Sequence, residues 1–142
     1  VAKNWLRLEK SYRAFGTELG RDATPFESGV SRFVDLSKNF LGKDGVERDS
    51  DVTCVTLLID GPKDADPWGR EAIYHDSEKI GRLTSGGFSV IFNKSIGMGY
   101  VNKKYADIGT KLKVKILNSL WECEIVEDSP YDPSNANIRV DG

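Results

Sequence analysis

The sequence has few of the side chains from which metal sites and disulfides are built. Its 142 residues include only two cysteines, Cys54 and Cys123, and one histidine, His75. The cysteines lack CxxC spacing and have a single histidine to join them, so a tetrahedral zinc site is not supported and we expect no bound metal. Two small buried thiols in a reducing compartment are the simplest expectation, namely the cytoplasm, or the mitochondrial matrix of a eukaryote.

The sequence also lacks an excess of basic residues, which argues against nucleic acid as a partner. The chain carries 20 Lys and Arg against 22 Asp and Glu, a net charge of −2. Binding to nucleic acid requires a basic field that displaces phosphate counterions, so we expect no nucleic-acid partner. No apolar run approaches the roughly 18 residues of a membrane span, so we expect no membrane partner either. The chain starts at Val1 without a signal-peptide pattern, and we expect it to be part of a longer protein.

The first 50 residues do contain a helical hydrophobic pattern. Large apolar residues recur at steps of three and four: Trp5, Leu8, Tyr12, Phe15 and Leu19. This spacing predicts one stripe of an amphipathic helix, which Gly16 and Gly20 weaken so that it ends before Leu19.

The rest of this first segment predicts short elements. Thr24 and Glu27 in "TPFE" have the spacing of a capping box, which marks the start of a helical turn. The alternation in "SRFVDL" predicts a strand. The stretch "NFLGKDG" predicts a helical turn that leads into a linker.

After residue 50 the hydrophobic period becomes two. Six segments rich in β-branched and apolar residues are separated by turn residues: "DVTCVTLLID", "EAIYH", "EKIGRLTSG", "IGMGYVN", "KLKVKIL" and "LWECEIV". Six short strands with turns between them predict a small barrel or sandwich. In "KLKVKIL" the lysines fall on one face and the apolar residues on the other, and Asn118-Ser119 predicts a tight hairpin after it.

One acidic residue in the first segment is a candidate binding group. Glu9 lies among basic residues, and two interpretations are open. Glu9 can form an exposed i, i+4 pair with Arg13, which would contribute about 0.3–0.5 kcal/mol. Alternatively, its carboxylate can turn inward and accept two adjacent N–H donors from a heterocycle, a strong and selective geometry.

Several sequence blocks, taken together, resemble one known family. The blocks "LRLEKSYRAFGTEL" and "TPFESGVSRFVDLSKNFLGKD" resemble the end of the folate domain of the glycine cleavage T-protein family. The blocks "KIGRLTSGGFSVIFNKSIGMGYV" and "GTKLKVKIL" resemble the C-terminal barrel of the same family. The blocks follow in the family's order and cover nearly the whole chain. Within the family, the chain is most similar to the C-terminal part of dimethylglycine and sarcosine dehydrogenases.

The resemblance implies a fold and a division of the chain. It implies a mainly β protein with a small α/β segment. Residues 1–50 would be the end of a folate-binding α+β domain, and residues 51–142 would be a six-stranded antiparallel β-barrel. It also implies that the parent protein is an oxidoreductase that demethylates an N-methyl amine and passes the one-carbon unit to tetrahydrofolate, its cofactor. FAD would be bound in an upstream domain that this chain does not contain.

The resemblance also assigns site residues, position by position. Glu9 matches the family carboxylate that grips the pterin. Lys38 falls where many members have an arginine near the folate, and Arg70 matches a recurring basic position at the barrel edge. The family's catalytic aspartate lies in an earlier part of the folate domain, so no catalytic residue is assigned here and the chain alone is expected to be catalytically incomplete.

Two alternatives to an amine-demethylating oxidoreductase are retained. The chain can be part of a stand-alone glycine cleavage T-protein-like aminomethyltransferase. It can also be a non-catalytic barrel module that closes over the rest of the parent chain and stabilises it. A nucleotide-binding glycine motif upstream would favour the oxidoreductase, and a folate domain without such a motif would favour the aminomethyltransferase.

Overall fold

The computed structural model describes residues 2–46, 48, 50–62, 64–137 and 139. In these ranges two short α-helices and two 3₁₀ turns accompany six strands. The helical elements are α1 (Ala2–Glu9), a 3₁₀ turn (Ser31–Phe33), α2 (Lys43–Val46) and a second 3₁₀ turn (Lys103–Tyr105). The strands are β1 (Val52–Ile59), β2 (Ala72–His75), β3 (Glu78–Ser89), β4 (Lys94–Asn102), β5 (Lys111–Ile116) and β6 (Ser119–Val126). Part of the predicted linker (47 and 49) and the end of the predicted barrel region (138 and 140–142) lie outside the described residues.

The six strands form a closed antiparallel barrel in the order β1-β4-β3-β2-β5-β6, with β6 returning to pair with β1. This confirms the predicted six-stranded barrel and the mainly β fold. Closure gives each of the six described strands two neighbours. None of the helices in the described ranges has the length and apolar character needed to cross a bilayer.

The barrel interior is apolar and follows the predicted alternation. In β5 the burial pattern alternates without exception, with Leu112, Val114 and Ile116 inward and the lysines outward. The buried cluster comprises Val55, Leu57, Ile59, Ile73, Ile80, Leu83, Val101, Leu112, Val114, Ile116, Cys123 and Ile125. Cys54 and Cys123 are free buried thiols, as predicted, and burial raises the pKa of each to about 12.

The first helix is shorter than its hydrophobic pattern predicts. It ends at Glu9, and Ser11 then takes a left-handed conformation with φ of 52°. Tyr12 and Phe15 consequently lie outside the helix and are 53% and 85% exposed. The predicted stripe is therefore wrong beyond Leu8, because polar contacts of the following turn with the barrel override the local helical periodicity.

Other details of the first segment differ in instructive ways. The capping box is confirmed: the Thr24 N–H donates to Glu27 Oε2 at 2.6 Å, and the Glu27 N–H donates to Thr24 Oγ1 at 3.2 Å. The predicted strand in "SRFVDL" is wrong, because Ser31–Phe33 is a 3₁₀ turn and the closed barrel offers it no edge to pair with. The predicted helical turn near residue 43 is confirmed by α2.

Two local features of the barrel depart from a regular ladder. The β5–β6 hairpin turns at 117–118, one residue earlier than predicted, with Leu117 at φ of 54°. In β3 a register shift lies between Leu83 and Ser85. Just beyond it, a Cβ at Gly87 would stand 2.2 Å from Cδ1 of Trp5, so the missing side chain is what allows α1 to lie directly on β3.

Candidate functional site

Glu9 turns inward, at the junction of α1 and the barrel. It is the last residue of α1 and only 4% exposed. Ser89 Oγ, at the end of β3, donates to Glu9 Oε1 at 2.5 Å. The Glu9 carbonyl accepts a hydrogen bond from the Tyr131 N–H at 3.1 Å. The residue is thus fixed from both the barrel and the C-terminal tail.

The exposed pair between Glu9 and Arg13 is not formed, so that interpretation is wrong. The guanidinium of Arg13 instead contacts Asp128 Oδ2 at 2.7 Å and donates to the Ser28 carbonyl at 2.9 Å. The physical reason is the left-handed turn at Ser11, which removes Arg13 from the helix face that Glu9 occupies. Burial alone would lower the pKa of Arg13, but the Asp128 carboxylate outweighs it and raises that pKa.

The C-terminal tail, residues 127–137, fastens the end of α1 to the barrel. Ser129 contributes twice: its N–H donates to Ser11 Oγ at 2.9 Å, and its hydroxyl donates to the Lys10 carbonyl at 2.8 Å. Lys10 Nζ reaches the Asp132 carbonyl at 2.5 Å. The Ser11 hydroxyl also contacts Thr56 Oγ1 of β1 at 2.8 Å. Three parts of the chain that are distant in sequence therefore meet beside Glu9.

A second buried carboxylate, Glu18, was missed by the sequence reasoning. Its side chain is fully buried and accepts five hydrogen bonds, which come from Arg7 Nη1, the Ala14 N–H, Thr17 Oγ1, Thr84 Oγ1 and Ser85 Oγ. Burial alone would raise the pKa of Glu18, but hydrogen bonds from these hydroxyls and from the Ala14 N–H outweigh it and lower that pKa. The local signal was weak: an acid between two glycines, each two residues away, in "FGTELG".

A cavity of about 710 Å³ lies between residues 15–27 and strands β3 and β4. Its charged lining residues are Glu18, Asp22, Glu27, Arg70, Lys79 and Arg82. Arg70, exposed at the rim, has a φ of 83°, a left-handed conformation that is strained for a residue with a side chain.

The structure does not bring the three predicted site residues together. Arg70 lines the cavity, whereas Glu9 is buried beside Ser89 and outside the cavity lining. Lys38 lies in an exposed loop, with 76% of its side chain accessible and an ion pair to Asp35 at 3.5 Å. Within the described ranges, no hydrogen bond or ion pair joins any two of the three. In the same ranges no three His, Cys, Asp or Glu side chains form a group that could hold a metal ion.

Comparison with known proteins identifies the fold. Residues 53–132, more than half of the chain, match the model of the glycine cleavage T-protein C-terminal barrel domain. The chain belongs to this family. The resemblance drawn from the sequence blocks is thereby confirmed, and the six strands described above are those of the glycine cleavage T-protein barrel.

Individual relatives extend the similarity beyond the barrel. A mitochondrial dimethylglycine dehydrogenase of Mus musculus is 33% identical over 153 aligned positions, which cover 99% of this chain and 17% of that protein. An aminomethyltransferase of Caldanaerobacter subterraneus subsp. tengcongensis is 34% identical, over 92% of this chain and 36% of that protein. The chain therefore spans only about a sixth to a third of the length of these T-protein relatives.

A solved structure shows the same fold. The glycine cleavage system aminomethyltransferase T from Bartonella henselae superposes with a TM-score of 0.82 at 20% sequence identity. The match covers 93% of this chain and 38% of that one. The barrel and the segment before it thus share their arrangement with a T-protein.

Proposed function

We propose that this chain is the C-terminal part of an enzyme that demethylates an N-methyl amine, such as dimethylglycine or sarcosine, and passes the one-carbon unit to tetrahydrofolate. An upstream domain of the parent protein would hold FAD, which would supply the oxidising power for the amine. The observation that carries this proposal is that the similarity to mouse dimethylglycine dehydrogenase covers 99% of the chain, including the segment that holds Glu9. In a eukaryote the protein would work in the mitochondrial matrix.

In this proposal Glu9 binds the pterin of tetrahydrofolate. A carboxylate matches two adjacent N–H donors of a heterocycle, and charge-assisted pairs of this kind are strong and selective. The inward orientation of Glu9 and its fixation by Ser89 support the role. Arg70 would add a positive charge at the rim of the cavity, which Glu9 does not line. Lys38 is retained as a third folate contact, on resemblance alone.

The proposal also requires the rest of the parent chain as a partner. The segment before the barrel exposes large apolar side chains, among them Leu6 (63%), Phe15 (85%), Phe33 (75%) and Leu41 (103%). In this proposal another part of the parent chain covers these side chains. The relatives are three to six times longer than the region matched, so they contain chain that could cover them.

The decisive experiment uses the intact parent protein. We expect a flavin absorption spectrum, oxidation of dimethylglycine or sarcosine, and formation of methylenetetrahydrofolate at the expense of free formaldehyde when tetrahydrofolate is added. The isolated 142-residue chain serves as the control and should catalyse neither step. A parent that binds folate but shows no flavin and oxidises no amine would contradict the oxidoreductase.

That outcome would favour the second candidate, an aminomethyltransferase that works without a flavin. The 34% identity to an aminomethyltransferase over 92% of the chain supports it. Its test is transfer of the one-carbon unit of an aminomethyl donor to tetrahydrofolate in the absence of a flavin. A parent with neither activity and no folate binding would leave the third candidate, a non-catalytic barrel that stabilises its neighbours.

The role of Glu9 is tested by substitution in the intact parent. Glu9→Gln keeps the size of the side chain but removes the charge. Removing one charged partner from a buried hydrogen-bonded pair costs about 2–5 kcal/mol, which corresponds to a loss of about 30-fold or more in folate affinity. Calorimetric titration of both proteins with tetrahydrofolate measures this loss of affinity. Equal dissociation constants for the two proteins would remove Glu9 from the binding site.

A further inference from the structure

The contact between Ser89 and Glu9 has a defined direction. Ser89 is fully buried, and its Oγ accepts a hydrogen bond from the Phe92 N–H at 3.3 Å. A hydroxyl carries one proton, and an ionised carboxylate carries none. The proton of Ser89 therefore points at Glu9 Oε1, at the 2.5 Å separation already described. The turn after β3 thus orients the serine, and the serine orients the carboxylate.

The same contact makes the two carboxylate oxygens of Glu9 differ in their hydrogen bonding. Oε1 is occupied by Ser89, and in the described part of the chain no second group donates to the Glu9 side chain. Oε2 therefore keeps its lone pairs for another donor. The backbone at this point is held independently, since the Tyr131 N–H donates to the Glu9 carbonyl at 3.1 Å and Ser129 Oγ donates to the Lys10 carbonyl at 2.8 Å.

We propose that Ser89 is a positioning residue for the folate site: it fixes the plane of the Glu9 carboxylate so that a heterocycle with adjacent N–H donors meets it in one orientation. This inference rests on the proposed binding of the pterin by Glu9. Ser89 does not itself touch the ligand. Without its hydroxyl, the carboxylate keeps its charge but gains rotational freedom, which the ligand must then remove on binding.

The position of Ser89 makes a clean substitution possible. Ser89→Ala removes one oxygen from the last residue of β3, outside the apolar cluster of the barrel interior. Ser95 is a matched control, because it is 2% exposed and lies across the same hairpin, in register with Phe88. In the described contacts Ser95 makes no hydrogen bond with Glu9. Ser95→Ala therefore reports the general cost of deleting a buried hydroxyl near this turn.

The experiment is a double-mutant cycle in the intact parent, titrated calorimetrically with tetrahydrofolate. A hydrogen bond to a charged group is worth enough that Ser89→Ala should weaken folate binding roughly ten-fold or more. In the Glu9→Gln background the same Ser89→Ala change should have little further effect, because the serine acts only through that carboxylate. Ser95→Ala should leave the affinity unchanged, and Ser89→Thr, which keeps the hydroxyl, should restore much of it.

The other outcomes separate the two proposals. If the unaltered parent does not bind tetrahydrofolate, the proposed function fails and this inference falls with it. If the parent binds, and Glu9→Gln weakens binding but Ser89→Ala does not, only the positioning role is overturned. The positioning role is also overturned if Ser89→Ala lowers folate affinity equally with and without Glu9→Gln. It is overturned as well if the affinity falls only because the Ser89→Ala protein melts well below the Ser95→Ala protein.

Discussion

The barrel and the segment before it are stabilised by different kinds of interaction. The barrel, β1 to β6, buries a large apolar cluster, and its buried polar side chains are hydroxyls: Thr56, Ser85, Ser89 and Ser95. The first segment, residues 2–46, buries mainly polar and charged side chains: Glu9, Lys10, Ser11, Glu18, Glu27 and Ser28. It meets the barrel in a small apolar cluster of Leu8, Cys54, Ile96 and Met98. The barrel can thus rely on the hydrophobic effect, whereas the segment depends on hydrogen bonds and ion pairs made to the barrel.

This difference predicts which region each perturbation will affect. Removal of a buried polar or charged side chain of the first segment should detach that segment from the barrel and leave the barrel folded. Loss of an apolar barrel residue should destabilise both, because the segment is bound to the barrel surface. The following predictions test this division, and they run from the largest expected effect to the smallest.

Glu18→Ala is expected to have the largest effect, and to act on the first segment. It removes a fully buried acceptor of five hydrogen bonds and leaves Arg7 without its ion-pair partner. Breaking a buried pair from one side costs about 3–5 kcal/mol. Amide hydrogen exchange should show lost protection in residues 2–46 and retained protection in the barrel strands. Asp22→Ala, an exposed acid of the same segment, is the control and should change little.

Acid should imitate this substitution. The pKa of Glu18 is lowered in the folded protein, so its contribution to stability is present above the ordinary value of 4.5 and is lost as the pH falls below it. Protection of the first segment should therefore fall before that of the barrel on acidification. If acid pH or Glu18→Ala reduced protection equally in both regions, the proposed difference between the first segment and the barrel would be wrong.

Leu57→Ala is the corresponding change in the barrel. Leu57 is fully buried in β1, and truncation of such a leucine costs about 2–5 kcal/mol through lost burial and the cavity left behind. Urea unfolding should shift for the whole chain, and hydrogen exchange should rise in the first segment as well as in the strands. Leu117→Ala is the matched control, because Leu117 is 79% exposed at the β5–β6 turn. A segment that stays protected in Leu57→Ala would show that it folds independently.

The same division explains which features the sequence could predict. Alternation in stretches such as "KLKVKIL" reports burial directly, because each strand needs only its own residues to mark its inward face. The first segment has no comparable pattern that marks its buried side chains. Thr84 and Ser85, which bind Glu18, are 66 and 67 residues away in sequence. Ser89 is likewise 80 residues from Glu9, so resemblance could suggest the carboxylate but not what orients it.

Alkaline pH provides a smaller test that distinguishes the two cysteines. Burial raises the pKa of Cys54 and of Cys123 to about 12, from an ordinary value of 9.0. Their contribution to stability is therefore complete below pH 9 and is lost as the pH rises towards 12. At pH 10 the free energy of unfolding should be lower by about 1.4 kcal/mol for each thiol. Urea unfolding at pH 8 and pH 10 measures this.

Alanine variants assign that loss to a region. Cys54 lies in the cluster between the first segment and the barrel, and Cys123 lies in the barrel interior. Cys123→Ala should flatten the pH dependence of global unfolding. Cys54→Ala should flatten the pH dependence of protection in the first segment. An unchanged pH profile in both variants would assign the alkaline loss to other groups.

The smallest effect is expected on the outer face of the barrel. Lys113 projects outward from β5, next to the buried Val114. Lys113→Ala should change the free energy of unfolding by less than about 0.5 kcal/mol, as is usual for surface substitutions. Val114→Ala, one residue along the same strand, should cost several times more. Thermal melting of the two variants side by side checks this, and a similar loss in both would contradict the assigned alternation.

The pairing of β6 with β1 has a consequence for the order in which the protein is made. The ring cannot close until Val126 has left the ribosome, since residues 56–59 wait for residues 123–126. Only then do Ser129 and Tyr131 arrive to fasten the end of α1. At about 5–20 residues per second, the roughly 120 residues between α1 and this tail take about 6–24 seconds to synthesise, and α1 is not secured until then. A chain that ends before this stretch is complete therefore has open strand edges and an undocked helix, the kind of product that chaperones and proteases recognise.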